Sequence, residues 1–325
     1  MSIKILKPAM LTTLVGDGRE GFRSFGIGPG GAMDYFAMKV GNYLVGNDHE
    51  AVMELGYAPA EFLFQKSSLA CITGKGFTIH VDNEIFPLWK PFKIKEGAIL
   101  KLIKTIPGAW AYLAVHGGWR ADEWLGSLTT NLTAKAGGFN GRALKKDDAI
   151  EANESKIQID ETKILPWGIS ANELSGVYSP TNEVRCVLSI ETDWLSPLSK
   201  DKFLSEQFAV SSQSNRMGYR LQGAALSLSE RIEMISSPVD FGTIQLLPDG
   251  NLIILMADHQ TTGGYPRIAS VIKADLPKLA QILPAEKIKF KMISLEEAER
   301  ELFSEEQKLG EIKMGCHERF KKHFG

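Results

Sequence analysis

The sequence predicts a mainly β protein that is built of two domains and contains few helices. The chain has 325 residues, and a domain commonly contains about 100–200, so two domains are expected. Short aliphatic and β-branched runs recur along the chain between turn pairs such as Asp249-Gly250. Helical periodicity is confined to three segments. Many short strands separated by glycine-rich turns are typical of β-barrels and β-sandwiches.

The predicted strands are apolar runs bounded by turn residues. The N-terminal segment, residues 1–16, is interpreted as a first strand and not as a signal peptide, because no small-residue cleavage site follows its short apolar run. The turn pair Asp249-Gly250, which lies between apolar runs on both sides, is the strongest indication of a hairpin in the sequence. The other predicted strands are Leu69–Ile72, Phe77–Val81, Ile99–Ile103, Tyr112–Val115, Val184–Ile190, Thr243–Leu247 and Leu252–Met256.

Three helices are predicted from their start signals. Asp34 is a typical N-cap before apolar residues spaced for one helical face, and Gly46 is a typical stop. A second helix is expected near Asp275, with Pro277 in its first turn. The third follows the capping box Ser294-Leu-Glu-Glu at the C-terminal end. The polar stretch 151–164 is the best linker candidate, which gives an N-terminal domain over 1–160 and a C-terminal domain over 161–325.

Composition and charge narrow the classes of function. With 37 Lys+Arg against 39 Asp+Glu, the formal charge is −2, which argues against a protein that binds nucleic acid by neutralising phosphates. No apolar run is long enough for a membrane span. The three cysteines are odd in number and far apart, and the six histidines show no metal-binding spacing, so neither a disulfide framework nor a metal site is expected. These features indicate a cytoplasmic protein.

The segment 25–34 is the first candidate for chemistry. It is rich in glycine, including Gly30 and Gly31, and it opens onto the helix that Asp34 begins. Glycines allow a ligand to approach the backbone closely, and a helix N-terminus attracts anions. A phosphate or carboxylate site is one interpretation, and a turn that only connects strand to helix is the other. The spacing matches neither a P-loop nor a Rossmann fingerprint.

The segment 258–266 is the strongest candidate, because it concentrates polar groups directly after an apolar strand. His259 is a possible general acid or base, or alternatively a hydrogen-bond donor to substrate. The remaining candidates in this segment are Gln260, Thr261, Thr262, Gly263, Gly264 and Tyr265.

Two further segments carry candidate residues. Arg216 and Arg220 lie beside Asn215 in a glycine-bearing segment, a pattern that suits a carboxylate or phosphate clamp or a solvated surface loop. His116 follows a predicted strand, where a lone histidine is more often structural than catalytic, although substrate binding is the alternative. Lys39 lies in an Ala-Met-Lys-Val sequence similar to that of a biotinylated lysine, but its predicted helix is unsuited to a biotin carrier.

Taken together, four motifs resemble one known family. They are GxGPGGAMDYFAxxxGNYLVGN at 26–47, MELG at 53–56, RMGYRLxG at 216–223 and ADHQTTGGYPRIASVIKADLPKLAQ at 257–281. The sequence is identified as a member of the family whose proteins are called KipA, allophanate hydrolase subunit 2, carboxyltransferase-domain protein or the C-type subunit of 5-oxoprolinase. The resemblance runs from about residue 11 to 290. It implies two tandem cyclophilin-like β-barrel domains.

The resemblance also implies a function and partners. Such proteins work with a KipI-like subunit and with a third subunit of the LamB/YcsF type, and the complex cleaves 5-oxo-L-proline to L-glutamate with ATP as co-substrate. Two alternatives remain: a carboxyltransferase component of a biotin-dependent urea or allophanate pathway, and a KipA-type regulatory protein that antagonises a kinase inhibitor. This chain is expected to carry no covalently bound biotin.

On this hypothesis Arg216 and Arg220 supply positive charge, His259 to Thr262 supply polar contacts, and the loop 28–34 closes the pocket. The sequence departs from the family pattern at three places. Residues 15–21 read Val-Gly-Asp-Gly-Arg-Glu-Gly and lack the usual Gln-Asp pair, Leu128 stands where an arginine is usual, and His259 also replaces an arginine. The absence of these two positive charges, at Leu128 and His259, is expected to affect binding of substrate or phosphate more than the fold.

Overall fold

The computed structural model describes residues 2–57, 59–179, 181–230 and 232–325, and the chain divides into two compact units. Unit 1 comprises Met1–Arg19, Gly30–Leu174 and Gln307–Gly325, and unit 2 comprises Glu20–Pro29 and Ser175–Glu306. Each unit is therefore assembled from segments that are distant in sequence. The domain boundary at residue 160 stays a prediction.

Five α-helices form in the described part of the chain, and the start signals of two are confirmed in detail. The Asp34 side chain accepts a hydrogen bond of 2.9 Å from the backbone N–H of Ala37. Ser294 and Glu297 exchange the two hydrogen bonds of a capping box, at 2.9 and 3.1 Å. The helices are α1 (Tyr35–Leu44), α2 (Ala171–Ser175), α3 (Pro197–Ser205), α4 (Leu276–Ala280) and α5 (Leu295–Phe324), with 3-10 turns at Arg23–Phe25, Ile190–Trp194 and Lys273–Asp275.

Unit 1 contains two six-stranded sheets, with the strand orders β11-β1-β4-β9-β6-β7 and β12-β8-β5-β10-β3-β2. Their shared hydrophobic core holds Phe62 and Leu100 from the first sheet and Leu55 and Leu113 from the second. The strands are β1 (Ile3–Lys7), β2 (Leu11–Val15), β3 (Val52–Gly56), β4 (Ala60–Phe64), β5 (Ser68–Gly74), β6 (Phe77–Val81), β7 (Glu84–Phe86), β8 (Pro91–Ile94), β9 (Ile99–Lys104), β10 (Trp110–Val115), β11 (Ala149–Ile150) and β12 (Lys163–Ile164).

Unit 2 is built around a closed barrel with the strand order β13-β20-β17-β18-β15-β14-β21. The predicted hairpin at Asp249-Gly250 is confirmed, because Leu246 pairs with Leu252 and Gly250 has a φ of 82°. A separate two-stranded sheet joins β16 to β19. The strands are β13 (Glu183–Leu188), β14 (Phe208–Val210), β15 (Gly218–Gln222), β16 (Ser237–Pro238), β17 (Thr243–Leu246), β18 (Leu252–Leu255), β19 (Thr262–Gly263), β20 (Arg267–Val271) and β21 (Lys287–Met292).

A buried ion network ties the segment before α4 to strand β13. The Asp275 side chain is 3% exposed and accepts hydrogen bonds from the Arg185 backbone N–H and guanidinium, both at 2.7 Å, and from Lys278 at 3.0 Å. Burial alone would raise the pKa of Asp275, but the hydrogen bonds and positive charges of Arg185 and Lys278 lower it overall. Asp275 is therefore an ionised anchor of the barrel.

The mainly β fold class is confirmed, and its closed barrel lies in unit 2. Cys71 and Cys186 are buried in strands β5 and β13, and burial raises the pKa of the Cys186 thiol to about 12. Cys316 is also free and buried. In the part of the chain that the structure describes, none of the helices has both the length and the hydrophobicity of a membrane span.

Candidate functional site

The polar segment 258–266 and the arginine segment 214–221 meet in unit 2. Arg216 and Asp258 form a two-point ion pair, with Nε to Oδ2 at 2.7 Å and Nη2 to Oδ1 at 2.9 Å. The backbone N–H of Asp258 also donates to the carbonyl of Arg216 at 2.8 Å. Because the Arg216 side chain is only 6% exposed, Asp258 neutralises its charge. Arg216 therefore positions the start of the polar segment.

His259, the residue that follows Asp258 in the sequence, is buried. Its Nδ1 is 2.6 Å from the carbonyl oxygen of Gln260, which can only accept, so the proton of the neutral ring is on Nδ1. Its Nε2 lies 3.9 Å from Oδ1 of Asp240 and has no hydrogen bond to any residue described. Desolvation lowers the pKa of His259, so the ring is neutral at pH 7.

Two neighbours hold the backbone around His259 in place. A Cβ added at Gly28 would lie 2.8 Å from the His259 carbonyl oxygen, so only glycine allows this approach. Arg23 pairs with Asp240 at 3.2 Å and also donates to the carbonyl of Val239. The segment 20–29 therefore packs against the His259 backbone through Gly28 and places the positive charge of Arg23 near His259.

A cavity of about 510 Å³ opens on the barrel beside these groups. Its volume suits a small molecule. Both polar and apolar residues line it: Gln213, Asn215, Met217, Gly218, Arg220, Gln245, Leu247, Pro248, Asp249, Ile253, Leu255, Gln260 and Tyr265. Four of the predicted site residues, Asn215, Arg220, Gln260 and Tyr265, are thus brought together in one cavity.

Arg220 is the only lysine or arginine among the described residues that line this cavity. It lies on β15 opposite Ile253, its side chain is exposed, and its guanidinium makes no ion pair within 4 Å inside the described ranges. Asp249 also lines the cavity, and its pKa is lowered mainly by hydrogen bonds from Asn251 and further by the charge of Arg220. One available cation suits a monoanion such as a carboxylate better than a triphosphate.

Residues 261–264 connect two residues of the cavity lining, Gln260 and Tyr265, and are not themselves part of that lining as described. Thr262 and Gly263 form β19 and pair with Pro238 and Ser237. Thr261 accepts a hydrogen bond of 3.2 Å from the backbone N–H of Val239. Thr262 and Gly264 are exposed, Thr261 is half-buried and Gly263 is buried. These residues stay predicted contacts of a ligand.

Residues 30–34 of the predicted anion loop lie in unit 1, whereas residues 25–29 belong to unit 2. Gly30 and Gly31 have φ angles of 64° and 94°, and Asp34 is fully buried. The backbone N–H of Asp34 donates to the Tyr112 hydroxyl at 2.8 Å, and this hydroxyl donates to Glu54 at 2.8 Å. Because Asp34 itself caps α1, the geometry favours the interpretation of this segment as a strand-to-helix connection.

His116 and Leu128 also lie in unit 1. The Nδ1 of His116 is 2.8 Å from the carbonyl oxygen of Val45, and its ring centroid is 4.9 Å from that of Phe320. These contacts favour a structural role for His116. Leu128 is partly buried and packs against the hydrophobic core of unit 1. Among the described residues, no group of three His, Cys, Asp or Glu side chains is placed to hold a metal.

Sequence reasoning missed Gln245 and Asp240. Gln245 lies on β17 in the run Thr-Ile-Gln-Leu, where its neighbours are buried apolar residues, and it is itself 1% exposed. A glutamine within an apolar strand was the one signal that could have singled it out. Asp240 lies in an irregular segment, and only the folded chain brings it near His259.

The family model of the carboxyltransferase domain, subdomain A and B, matches residues 25–292. The chain belongs to this carboxyltransferase-domain family. A Haemophilus influenzae protein named as the C-type subunit of 5-oxoprolinase is 36% identical over 298 residues, which cover 91% of this chain and 93% of that protein. An Escherichia coli protein of the same name is 37% identical over 301 residues, with the same coverages. The resemblance noted in the sequence is therefore confirmed.

A solved structure supports the fold of this carboxyltransferase-domain protein. The crystal structure of the Kluyveromyces lactis urea carboxylase superposes with a TM-score of 0.88 at 24% identity. The match covers 97% of this chain and 29% of that protein, so it concerns one part of a much longer enzyme.

Proposed function

We propose that this chain is the C-type subunit of an ATP-dependent 5-oxoprolinase, which opens 5-oxo-L-proline to L-glutamate together with two further subunits. The observation that carries the proposal is the 36–37% identity to proteins named as this 5-oxoprolinase subunit, over 91% of the chain. The cavity on the barrel of unit 2 supports it. A small ring that carries one carboxylate and one amide fits within this cavity, and its polar groups suit the carboxamides and the one lysine or arginine among the described lining residues.

In this proposal, Arg220 binds the substrate carboxylate, and Asn215, Gln260 and Thr261 contribute polar contacts at the rim. Arg216 holds the segment 258–266 in place through Asp258. His259 holds the Gln260 backbone through its Nδ1 and keeps a neutral ring.

A γ-lactam amide is resonance-stabilised, so its opening in water requires activation. Transfer of the γ-phosphoryl group of ATP to the lactam oxygen would release ADP and leave an electrophilic carbon. Water then adds at this carbon, and the C–N bond breaks with protonation of the nitrogen, which leaves an acyl phosphate of glutamate. A second water hydrolyses this acyl phosphate to glutamate and inorganic phosphate. Because the cavity offers a single arginine, we expect the triphosphate to bind outside it.

The partners in this proposal are a KipI-like subunit and a LamB/YcsF-like subunit, and the chain is active only in their complex. We place the complex in the cytoplasm, because the three cysteines are free and disulfides persist mainly in oxidising compartments.

The test is reconstitution. This chain is mixed with its cognate KipI-like and LamB/YcsF-like subunits, and ADP and glutamate are measured with and without 5-oxo-L-proline. We expect equimolar ADP and glutamate only when all three subunits are present. A verified three-subunit complex that forms no glutamate would overturn the proposal.

A carboxyltransferase role is the second candidate, because the matching family model is that of a carboxyltransferase domain. It requires a biotin carboxylase and a biotin carrier from other chains. Transfer of carboxyl from carboxybiotin to urea by the chain with such partners, in place of glutamate formation, would favour this candidate.

A further inference from the structure

Gln245 is a buried carboxamide that lines the cavity of unit 2. It pairs with Ile253 on β18, and the pairing of β17 with β20 shifts register between Ile244 and Gln245. Such irregularities re-aim a side chain and are frequent beside binding sites. The local backbone therefore turns a polar side chain of an apolar strand toward the cavity.

One end of this carboxamide is fixed by the protein. Its Nε2 donates to the carbonyl oxygen of Tyr265 at 3.2 Å. Because a carbonyl can only accept, the amide cannot be flipped without loss of this bond. The Oε1 atom consequently points away from Tyr265, and it accepts no hydrogen bond from residues within the described parts of the chain.

The diglycine of the polar segment makes room for this side chain. A Cβ at Gly263 would lie 2.5 Å from Nε2 and 3.3 Å from both Cδ and Oε1 of Gln245. A larger residue at 263 would displace the carboxamide. The closely fitted Gly263 and the fixed orientation of the amide hold Oε1 as an acceptor that a ligand in the cavity can reach.

We propose that Gln245 is a specificity-determining residue, whose Oε1 accepts a hydrogen bond from the N–H of a ring amide while Arg220 binds the carboxylate of the same ligand. This inference rests on the proposed function and deepens it. The site then selects a lactam over the corresponding lactone, because the lactone ring oxygen would oppose Oε1 with a second lone pair and leave both acceptors unsatisfied.

The test compares 5-oxo-L-proline with its oxygen isostere, (S)-5-oxotetrahydrofuran-2-carboxylate. Their dissociation constants are measured by calorimetry on the full chain in the assembled complex, for wild type and Gln245→Met. The control variant is Gln207→Met, since Gln207 is exposed and lies outside the cavity lining. We expect wild type and control to prefer the lactam by at least about tenfold, and Gln245→Met to reduce that preference to within about threefold. An unchanged preference in Gln245→Met overturns the inference.

A second measurement needs no variant. The side-chain amide signal of Gln245 is followed by NMR in ¹⁵N-labelled wild-type chain during titration with each ligand. We expect the lactam to shift this signal and the lactone to leave it nearly unmoved at the same concentration. Glutamate formation without a lactam-induced shift overturns the inference and leaves the proposed function standing. A shift without glutamate formation by the complex overturns the proposed function and leaves the inference standing.

Discussion

Replacement of Arg220 by methionine removes the one lysine or arginine found among the described residues that line the cavity. Its side chain is exposed on β15, so the fold should be nearly unaffected, within about 0.5 kcal/mol. A hydrogen bond to a charged group contributes roughly 1.5–3 kcal/mol, and the exposure of Arg220 places the contact near the lower end, at about 1.5–2 kcal/mol. That corresponds to a loss of about 10- to 30-fold in kcat/KM for 5-oxo-L-proline.

The assay is steady-state glutamate formation by the assembled complex. If the carboxylate contact is equal in the ground and transition states, the loss is expected in KM and not in kcat. Arg300→Met is the matched control, because Arg300 is also exposed but lies on α5 away from the cavity lining. A kcat/KM of Arg220→Met within twofold of wild type, or an equal loss in Arg300→Met, would refute the reasoning.

Three further predictions concern the framework of the site. Arg216→Ala should lower the free energy of unfolding by about 2 kcal/mol, because it leaves Asp258 partly buried without its partner; an unchanged denaturation midpoint would contradict this. Asp275→Asn should cost about 3 kcal/mol at pH 7. Because the pKa of Asp275 is lowered in the folded state, its stabilisation is present above about pH 4 and is lost as the pH falls through the folded pKa. The difference in free energy of unfolding between wild type and variant should therefore shrink in acid. A pH series of urea unfolding in which the two proteins stay parallel in acid would contradict this prediction. The pKa of His259 is also lowered in the folded state, so the unfolded chain binds a proton more readily and the free energy of unfolding falls as the pH drops below about 6.5. The free energy of unfolding of His259→Gln should therefore depend less on pH between 7 and 5 than that of wild type. Identical pH profiles for the two proteins would exclude this effect.

The sequence predicts the strands better than their assembly. All seven of the predicted internal strands form, because apolar runs between turn pairs depend on local signals, as in the hairpin at Gly250. Short elements such as α2 and β16 escaped prediction, since their residues carry no periodic pattern. The grouping of residues 20–29 with the second half of the chain depends on contacts between distant segments, such as Arg23 with Asp240, which no local pattern reveals.

The candidate site was predicted in part for similar reasons. Polar density marked the segment 258–266, and the structure places Gln260 and Tyr265 in a cavity with Arg220. The partner of Arg216 was not foreseen, because an ion pair between residues 42 positions apart is a tertiary contact. Asp34 lies in a glycine-rich segment that also suggested a binding site, but in the structure its side chain caps helix α1 of unit 1.

A structure of the assembled complex with 5-oxo-L-proline and a non-hydrolysable ATP analogue tests the central claim most directly. We expect the ligand in the cavity of unit 2, with its carboxylate within hydrogen-bonding distance of Arg220 and its N–H facing Oε1 of Gln245. A ligand bound elsewhere in the complex, with this cavity empty, would contradict the account.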